Sequence, residues 1–312
     1  MSPALVLLVA VLATTYAGPL IRLAAAPALA IAFWRLVMVL PVTGGLAAWE
    51  NKRVGSGEGS QTVRSGTPAL TVTNHSPLPT PRALVLMLLS GALLAAHFWS
   101  WIASLRYTTV ASSVVLVSLR PIFVWALAAA WLGEQPSRRE RWGIVLAVAG
   151  AVLIGVGDAR LSLGHLRGDL LALFGAVTAA GYFTVGRRVR RTVGVWTYAT
   201  VVYAVAAALL GLAAWSQGTA LAGFAPRDWR IFAALAAGPM LVGHTGLNYA
   251  LKHFRATTVN VATLGEPVGA TIIAWLVPAI AETPPWTAVA GGAVVVAGIW
   301  LSVTEGAGST EQ

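Results

Sequence analysis

The sequence predicts an all-α polytopic membrane protein, with ten transmembrane helices arranged as two inverted five-helix repeats. Three observations carry that expectation. The chain of 312 residues is 57% hydrophobic and 10% charged, with a mean hydropathy of +0.75, whereas soluble domains keep about a quarter of their residues charged. Ten segments approach the length of about 20 mostly apolar residues that a helix needs to cross roughly 30 Å of hydrocarbon. The chain also repeats itself. Gly-Leu-Ala-Ala-Trp occurs at Gly45–Trp49 and again at Gly211–Trp215, and Tyr16 and Tyr182 share that offset of 166. Further on, Pro121 pairs with Pro267 at 146, and Glu134 with Glu282 and Gly150 with Gly298 at 148. Five spans per copy is an odd number, so the second copy must enter the bilayer from the opposite side. Inverted duplication of this kind is common among secondary transporters, whose substrate site lies near the midplane between the halves.

The first repeat covers residues 1–157, with expected spans Pro3–Leu23, Ala28–Trp49, Ala83–Ser104, Thr109–Leu132 and Trp142–Val156. The second covers residues 158–304, with Asp169–Gly186, Trp196–Trp215, Trp229–Ala250, Ala256–Pro278 and Pro285–Val303, and residues 305–312 form a cytoplasmic tail. The fifth span is short and borrows flanking residues. None alternates polar and apolar residues as a membrane barrel strand does. The first span lacks a basic leader and its apolar run exceeds a usual signal core, so it reads as a span and not as a cleaved signal. Residues 50–82, rich in Gly, Ser, Thr and Pro, read as a flexible cytoplasmic loop inserted in the first repeat. The counterpart Ser216–Asp228 is shorter by 20 residues, which accounts for the drop in offset from 166 to 146.

The net charge of +10 reflects topology and not a nucleic-acid partner. With the amino terminus inside, thirteen Lys and Arg fall in cytoplasmic loops and six in the opposite ones. The positive-inside rule then sets both termini in the cytoplasm of an inner (plasma) membrane protein. Zero cysteines exclude disulfides and thiolate metal sites.

Proline marks the middle of the fourth and ninth spans at Pro121 and Pro267, and Gly18-Pro19 lies late in the first. A proline at membrane depth removes a backbone hydrogen bond and breaks the helix. Such breaks are tolerated where they pack against neighbours or line a cavity. Ser118-Leu119-Arg120-Pro121, Trp131-Leu132-Gly133-Glu134 and Trp142-Gly143 through Gly150 resemble the signature of the drug/metabolite transporter superfamily, EamA-type branch. Leu264-Gly265-Glu266-Pro267 through Glu282 and Gly298 repeats it, with the Leu-Gly-Glu partly lost as Ala281-Glu282. The resemblance covers the chain outside residues 50–82. It implies ten helices as inverted repeats and the transport of small organic solutes, without fixing one substrate.

Arg120 and Glu266 each precede the proline of their repeat, near mid-span, where a lipid-facing charge would cost at least about 2.5–3.5 kcal/mol. Both should face the interior, close together. They either brace the halves as an ion pair or meet a substrate, Arg120 a carboxylate and Glu266 an amine or a proton. His97 and His244 lie one position from repeat equivalence in the third and eighth spans. There each would relay protons, bind a polar ligand, or be satisfied by a neighbour. Tyr16, Tyr182, Asn248 and Trp101 complete the candidate binding set. Asn260 is the weaker candidate, on the face opposite Glu266. Arg35 early in the second span fits both the EamA pattern and a charge snorkelling to the interface. Glu134 and Glu282 read as interfacial. Trp99, Trp125 and Trp275 join Trp101 at depth, where they would pack or stack on a solute.

No catalytic residues, metal-ligand spacing or cofactor motif is found, and no Gly-x-x-x-x-Gly-Lys loop, so ATP does not drive the process directly. The expectation is therefore a secondary transporter, not an enzyme, exporting amino acids or related metabolites by alternating access. Its partners are a small solute, the lipid bilayer and protons, with no nucleic acid, and it acts as a monomer or homodimer. The alternatives are a flippase for a lipid-linked sugar and, less favoured, an intramembrane enzyme.

Overall fold

The structure is a computed structural model that describes residues 2–55, 79–132, 137–156, 163–281, 283 and 286–303. Every regular element among them is helical: α1 (Pro3–Thr15), α2 (Ala17–Leu23), α3 (Ala28–Val37), α4 (Leu40–Gly55), α5 (Pro81–Ser104), α6 (Val110–Val117), α7 (Arg120–Leu132) and α8 (Arg138–Val156). The second half follows with α9 (Leu163–Val189), α10 (Val195–Ser216), α11 (Pro226–Leu235), a π-helix (Ala236–His244), α12 (Thr245–His253), α13 (Ala256–Ala262), a 3₁₀ turn (Thr263–Gly265), α14 (Glu266–Leu276) and α15 (Trp286–Val303). Among the described residues, eight helices or joined helix pairs are long and apolar enough to cross a membrane. The fifth and tenth expected spans correspond to α8 and α15. α8 lies outside that group because it opens on Arg138-Arg139-Glu140-Arg141; α15 contributes the shorter apolar stretch Val289–Gly298.

Local chemistry sets where the helices begin. Ser2, Thr80 and Thr109 cap α1, α5 and α6 through their hydroxyls, and Pro3 and Pro81 occupy first-turn positions where no amide is needed. Ser137 and Glu140 cap α8 reciprocally, the Glu140 amide donating to Ser137 Oγ at 3.2 Å and the Ser137 amide to Glu140 Oε2 at 2.7 Å. Leu8, Leu12, Val85, Leu88, Val145 and Leu212 point away from the bundle. That apolar exterior suits lipid and not water.

The prolines act as expected, with one refinement. The fourth and ninth spans break at residues 118–119 and Thr263–Gly265, and each restarts with the charged residue followed by proline: Arg120-Pro121 and Glu266-Pro267. Proline is thus seated in a helical first turn, where its missing N–H is harmless. The first two spans also break, at Tyr16 and at residues 38–39, whereas their repeat counterparts α9 and α10 run unbroken.

Helices α8 and α15 pack antiparallel. A Cβ added at Gly150 would lie 2.6 Å from the Gly291 carbonyl oxygen and 2.8 Å from the Val295 amide; one at Gly298 would lie 2.6 Å from both Gly143 O and Ala147 N. The contacts exchange under the offset of 148, as 150, 143 and 147 map onto 298, 291 and 295. A local two-fold axis between two oppositely directed helices produces that reciprocity.

Hydrogen bonds gather the helix ends at two opposite faces. At one, Thr197 donates to Glu50, Arg255 meets Glu140 at 2.6 Å, and Arg187 donates to Leu251 O. Arg190 also belongs there, donating to the Asn248 and Val193 carbonyls. Burial pushes its guanidinium down to about 10, against the pull of Glu50. At the other face, Asp228 accepts from the Ala25 amide at 2.9 Å, Arg22 donates to Leu105 O, and Arg106 donates to Ala24 O and Ala26 O. Residues 50–55 belong to α4, so the expected loop starts later than position 50. Its residues 56–78 lie outside the described residues, as do Glu134 and Glu282.

Candidate functional site

The two restarting helices aim their first residues at one another across the bundle interior. Arg120, 3% exposed, reaches Glu266, 9% exposed, with Nη2 3.4 Å from Oε2. The same Nη2 donates to Thr263 Oγ1 at 2.8 Å, and Thr263 in turn donates to the Asn260 carbonyl. The other carboxylate oxygen of Glu266 accepts from Thr14 Oγ1 at 2.8 Å. Close approach of α1 and α14 makes this contact possible, since a Cβ at Gly269 would press on Thr15. The guanidinium also stands 5.7 Å from the centre of the Phe183 ring. A pair this deeply buried is expensive to break and easily re-partnered by a ligand carrying matching groups.

His97 and His244 form the next layer, with ring centres 6.4 Å apart. His97 Nδ1 lies 2.9 Å from the Gly175 carbonyl, which can only accept, so Nδ1 carries a proton and Nε2 is turned to the interior as the ring's second polar atom. Gly175 permits the approach of α5 and α9, since a Cβ there would lie 3.2 Å from Ser100 Oγ. Trp101 stacks parallel on His97 at 6.0 Å. His244 ends the π-helix, which contains Pro239, and its buried Nδ1 has no hydrogen-bond partner. A π-helix spaces its residues unlike an α-helix and is often found at functional sites.

Arg120, Glu266, His97, His244 and Trp101 line one cavity with Thr14, Ala17, Val117, Pro239 and Leu247; its volume is about 20 Å³, room for little more than a water molecule. Tyr182 and Asn248 stand behind that wall. The tyrosine hydroxyl donates to Asn248 Oδ1 at 2.7 Å, and the ring lies 6.3 Å from His244. Tyr16 does not belong. It sits at the α1–α2 break, 52% exposed, while its neighbours Thr14 and Ala17 face the cavity. Of the four deep tryptophans only Trp101 turns inward; Trp99, Trp125 and Trp275 lie on the outer surface.

One wall residue, Thr14, is absent from the sequence reading, and Arg35 is present there without a place in the candidate binding set. Thr14 had no charge or repeat to flag it. Arg35 was visible, but snorkelling is wrong for it: the residue is 0% exposed, and its guanidinium lies 4.2 Å above the Phe98 ring.

A membrane-spanning helical bundle with an ion pair and two imidazoles enclosed at its centre defines a class: a multi-pass membrane protein with charged and polar groups in its interior. The family follows from sequence. The EamA-like transporter family matches residues 1–156 and 166–304, and the chain belongs to that family. It is similar to the pseudopaline exporter CntI from two strains of Pseudomonas aeruginosa. One is 28% identical over 223 residues, 70% of this chain and 75% of that protein; the other is 27% identical over 221 residues with the same coverage. A solved crystal structure shares the fold, with a TM-score of 0.70 and 18% identity over 97% of each chain. Family and relatives point to a transporter rather than an enzyme.

Proposed function

We propose that the protein is a secondary transporter that exports an amino acid or related small organic metabolite by alternating access. In this reading ten helices form two inverted repeats, residues 1–157 and 158–304, in an inner membrane with both termini cytoplasmic. The single observation that carries it is the Arg120–Glu266 pair, joining repeat-equivalent helix breaks across the interior. Each half contributes one charge, so a solute bearing a carboxylate and an amine competes with the pair for both partners. Rocking of one repeat on the other would then alternate access to the same residues. Three further observations support it. Reciprocal packing of α8 and α15 is what an inverted repeat generates. The small cavity suits an occluded state. Bonds that join residues of the two repeats occur at both ends of the bundle, Glu140–Arg255 at one and Asp228–Ala25 at the other. The named relatives are exporters, which favours outward direction.

The test is uptake into proteoliposomes of a labelled amino-acid panel, with and without a pH gradient, by the wild type and Glu266→Gln. The variant should lose at least tenfold in transport while remaining folded, because it removes a charge and not volume. If Glu266 carries a coupling proton, solute exchange persists while uphill flux is lost. Wild-type uptake by the variant would reduce Glu266 to a brace.

A further inference from the structure

Arg35 poses a problem that the Arg120–Glu266 pair does not solve. It projects from α3 into the bundle, and all three guanidinium nitrogens are buried without a hydrogen-bond partner among the described residues. A guanidinium carries five donors in a planar fork and stays charged. Buried charges in folded chains are paired, and among the described residues this one has only the face of Phe98 and the neighbouring Tyr203. The Tyr203 hydroxyl is already engaged by Thr245 Oγ1 at 3.0 Å and Asn248 Nδ2 at 3.4 Å.

The location is as telling as the missing partner. Phe98 stands edge-on to His244, ring centres 5.0 Å apart, and 5.2 Å from His97. Arg35 is therefore one aromatic ring behind the cavity wall. At the cavity and directly behind it, two guanidiniums, Arg35 and Arg120, stand against one carboxylate, Glu266. Counted over those three described groups, the interior holds one positive charge in excess. An amino acid of net charge zero would leave that excess in place. A solute with two carboxylates and one ammonium cancels it, with one carboxylate for each arginine and the ammonium for Glu266.

We propose that Arg35 is a second carboxylate receptor of the transport site, uncovered from behind Phe98 when the helices part to admit solute, and that the solute class is an amino-dicarboxylate. This rests on the transporter reading above and narrows it. The planar fork backed by an aromatic face suits bidentate capture of a carboxylate, which a lysine would provide less well.

The experiment uses the full-length protein in proteoliposomes and three pairs that differ only by a carboxylate against its amide: aspartate and asparagine, glutamate and glutamine, 2-aminoadipate and homoglutamine. Wild type should prefer the acid of a transported pair by at least tenfold. Arg35→Gln should cut that acid-to-amide ratio at least tenfold, and Arg35→Lys should cut it by about threefold. Should Arg35→Gln fail to fold, the wild-type ratio and the lysine variant decide. Preference for the amides, or a ratio indifferent to Arg35→Lys and Arg35→Gln, overturns the inference and leaves the transporter reading standing. Transport of none of the six compounds removes the amino-acid reading and this inference with it. Replacing chloride by methanesulfonate, which carries no carboxylate, separates the remaining source of negative charge. A ratio that is unchanged supports the solute carboxylate; one that follows chloride assigns Arg35 to an inorganic anion and overturns the proposal.

Discussion

The fourth and ninth spans break at the same place and carry opposite charges, whereas the third and eighth carry the same residue and are built differently. α5 is regular, and His97 on it donates Nδ1–H to the Gly175 carbonyl. Its counterpart sits at the end of a π-helix, and His244 keeps a buried Nδ1 with no partner. Two residues one repeat offset apart thus stand at the same cavity in differently built helices. Pro239 inside the eighth span marks the difference, since the third span has no proline at the corresponding depth. In the fourth and ninth spans the prolines match and the charges diverge, so a symmetric frame holds an asymmetric, mutually attracting pair.

The largest effect tests that asymmetry directly. Arg120→Glu should leave two carboxylates facing each other in a buried site and cost about 3–5 kcal/mol, the scale of a broken buried pair. Adding Glu266→Arg should restore the attraction and the fold, because the two positions are repeat equivalents. Transport should stay lost in the swapped protein, since Thr14 and Thr263 would then meet the wrong partners. Melting temperature in detergent and uptake separate the two roles: recovery of transport by the swap would show that only the pairing matters.

The histidines sharpen the comparison at smaller scale. Replacing His97 by Phe deletes a hydrogen bond worth about 1 kcal/mol. The same change at His244 removes an unsatisfied buried nitrogen, and should be neutral or stabilising. The melt should thus fall for His97→Phe and hold or rise for His244→Phe, although the two positions are nearly equivalent. Equal losses would mean that the π-helix leaves His244 no different from His97.

How much of this was legible in the sequence follows from what a membrane hides. Apolar segments, the prolines and the equivalence of Arg120 with Glu266 could be read because length, backbone chemistry and the repeat offset do not depend on which way a side chain faces. Facing was the weak point. Lipid tails are as apolar as a protein core, so a span lacks the polar outer stripe that orients a soluble helix. Tyr16 was placed in the cavity by its repeat partner Tyr182, yet it points outward because α1 breaks beneath it and α9 does not. Arg35, early in its span, fits an interfacial charge by position, but α3 turns it toward Phe98. The count of spans also depends on composition, and the charged start of α8 keeps it apart from the eight.

The smallest expected effect lies in the motif that revealed the repeat. Gly-Leu-Ala-Ala-Trp is identical in both copies, but its first residue meets different surroundings. A Cβ at Gly45 would find nothing within 4 Å, while one at Gly211 would lie 3.0 Å from Cε2 of Phe33. Both glycines are inside helices, α4 and α10. Gly45→Ala should therefore stabilise the protein by about 0.4–1 kcal/mol, through lower entropy of the unfolded chain. Gly211→Ala gains the same entropy but pushes a ring that must give way by a few tenths of an ångström. Its net effect should fall below that of Gly45→Ala, and the sign reports how freely Phe33 moves. Phe33 adjoins Trp34, whose indole donates to the Leu221 carbonyl at 2.8 Å and packs edge-on against Trp229. That anchoring limits the room for adjustment, so the expected outcome is a melt lowered by Gly211→Ala and raised by Gly45→Ala. Identical shifts from the two substitutions would show that the contact between α3 and α10 is looser than the 3.0 Å approach implies, and that the repeat preserves packing as well as sequence at this motif.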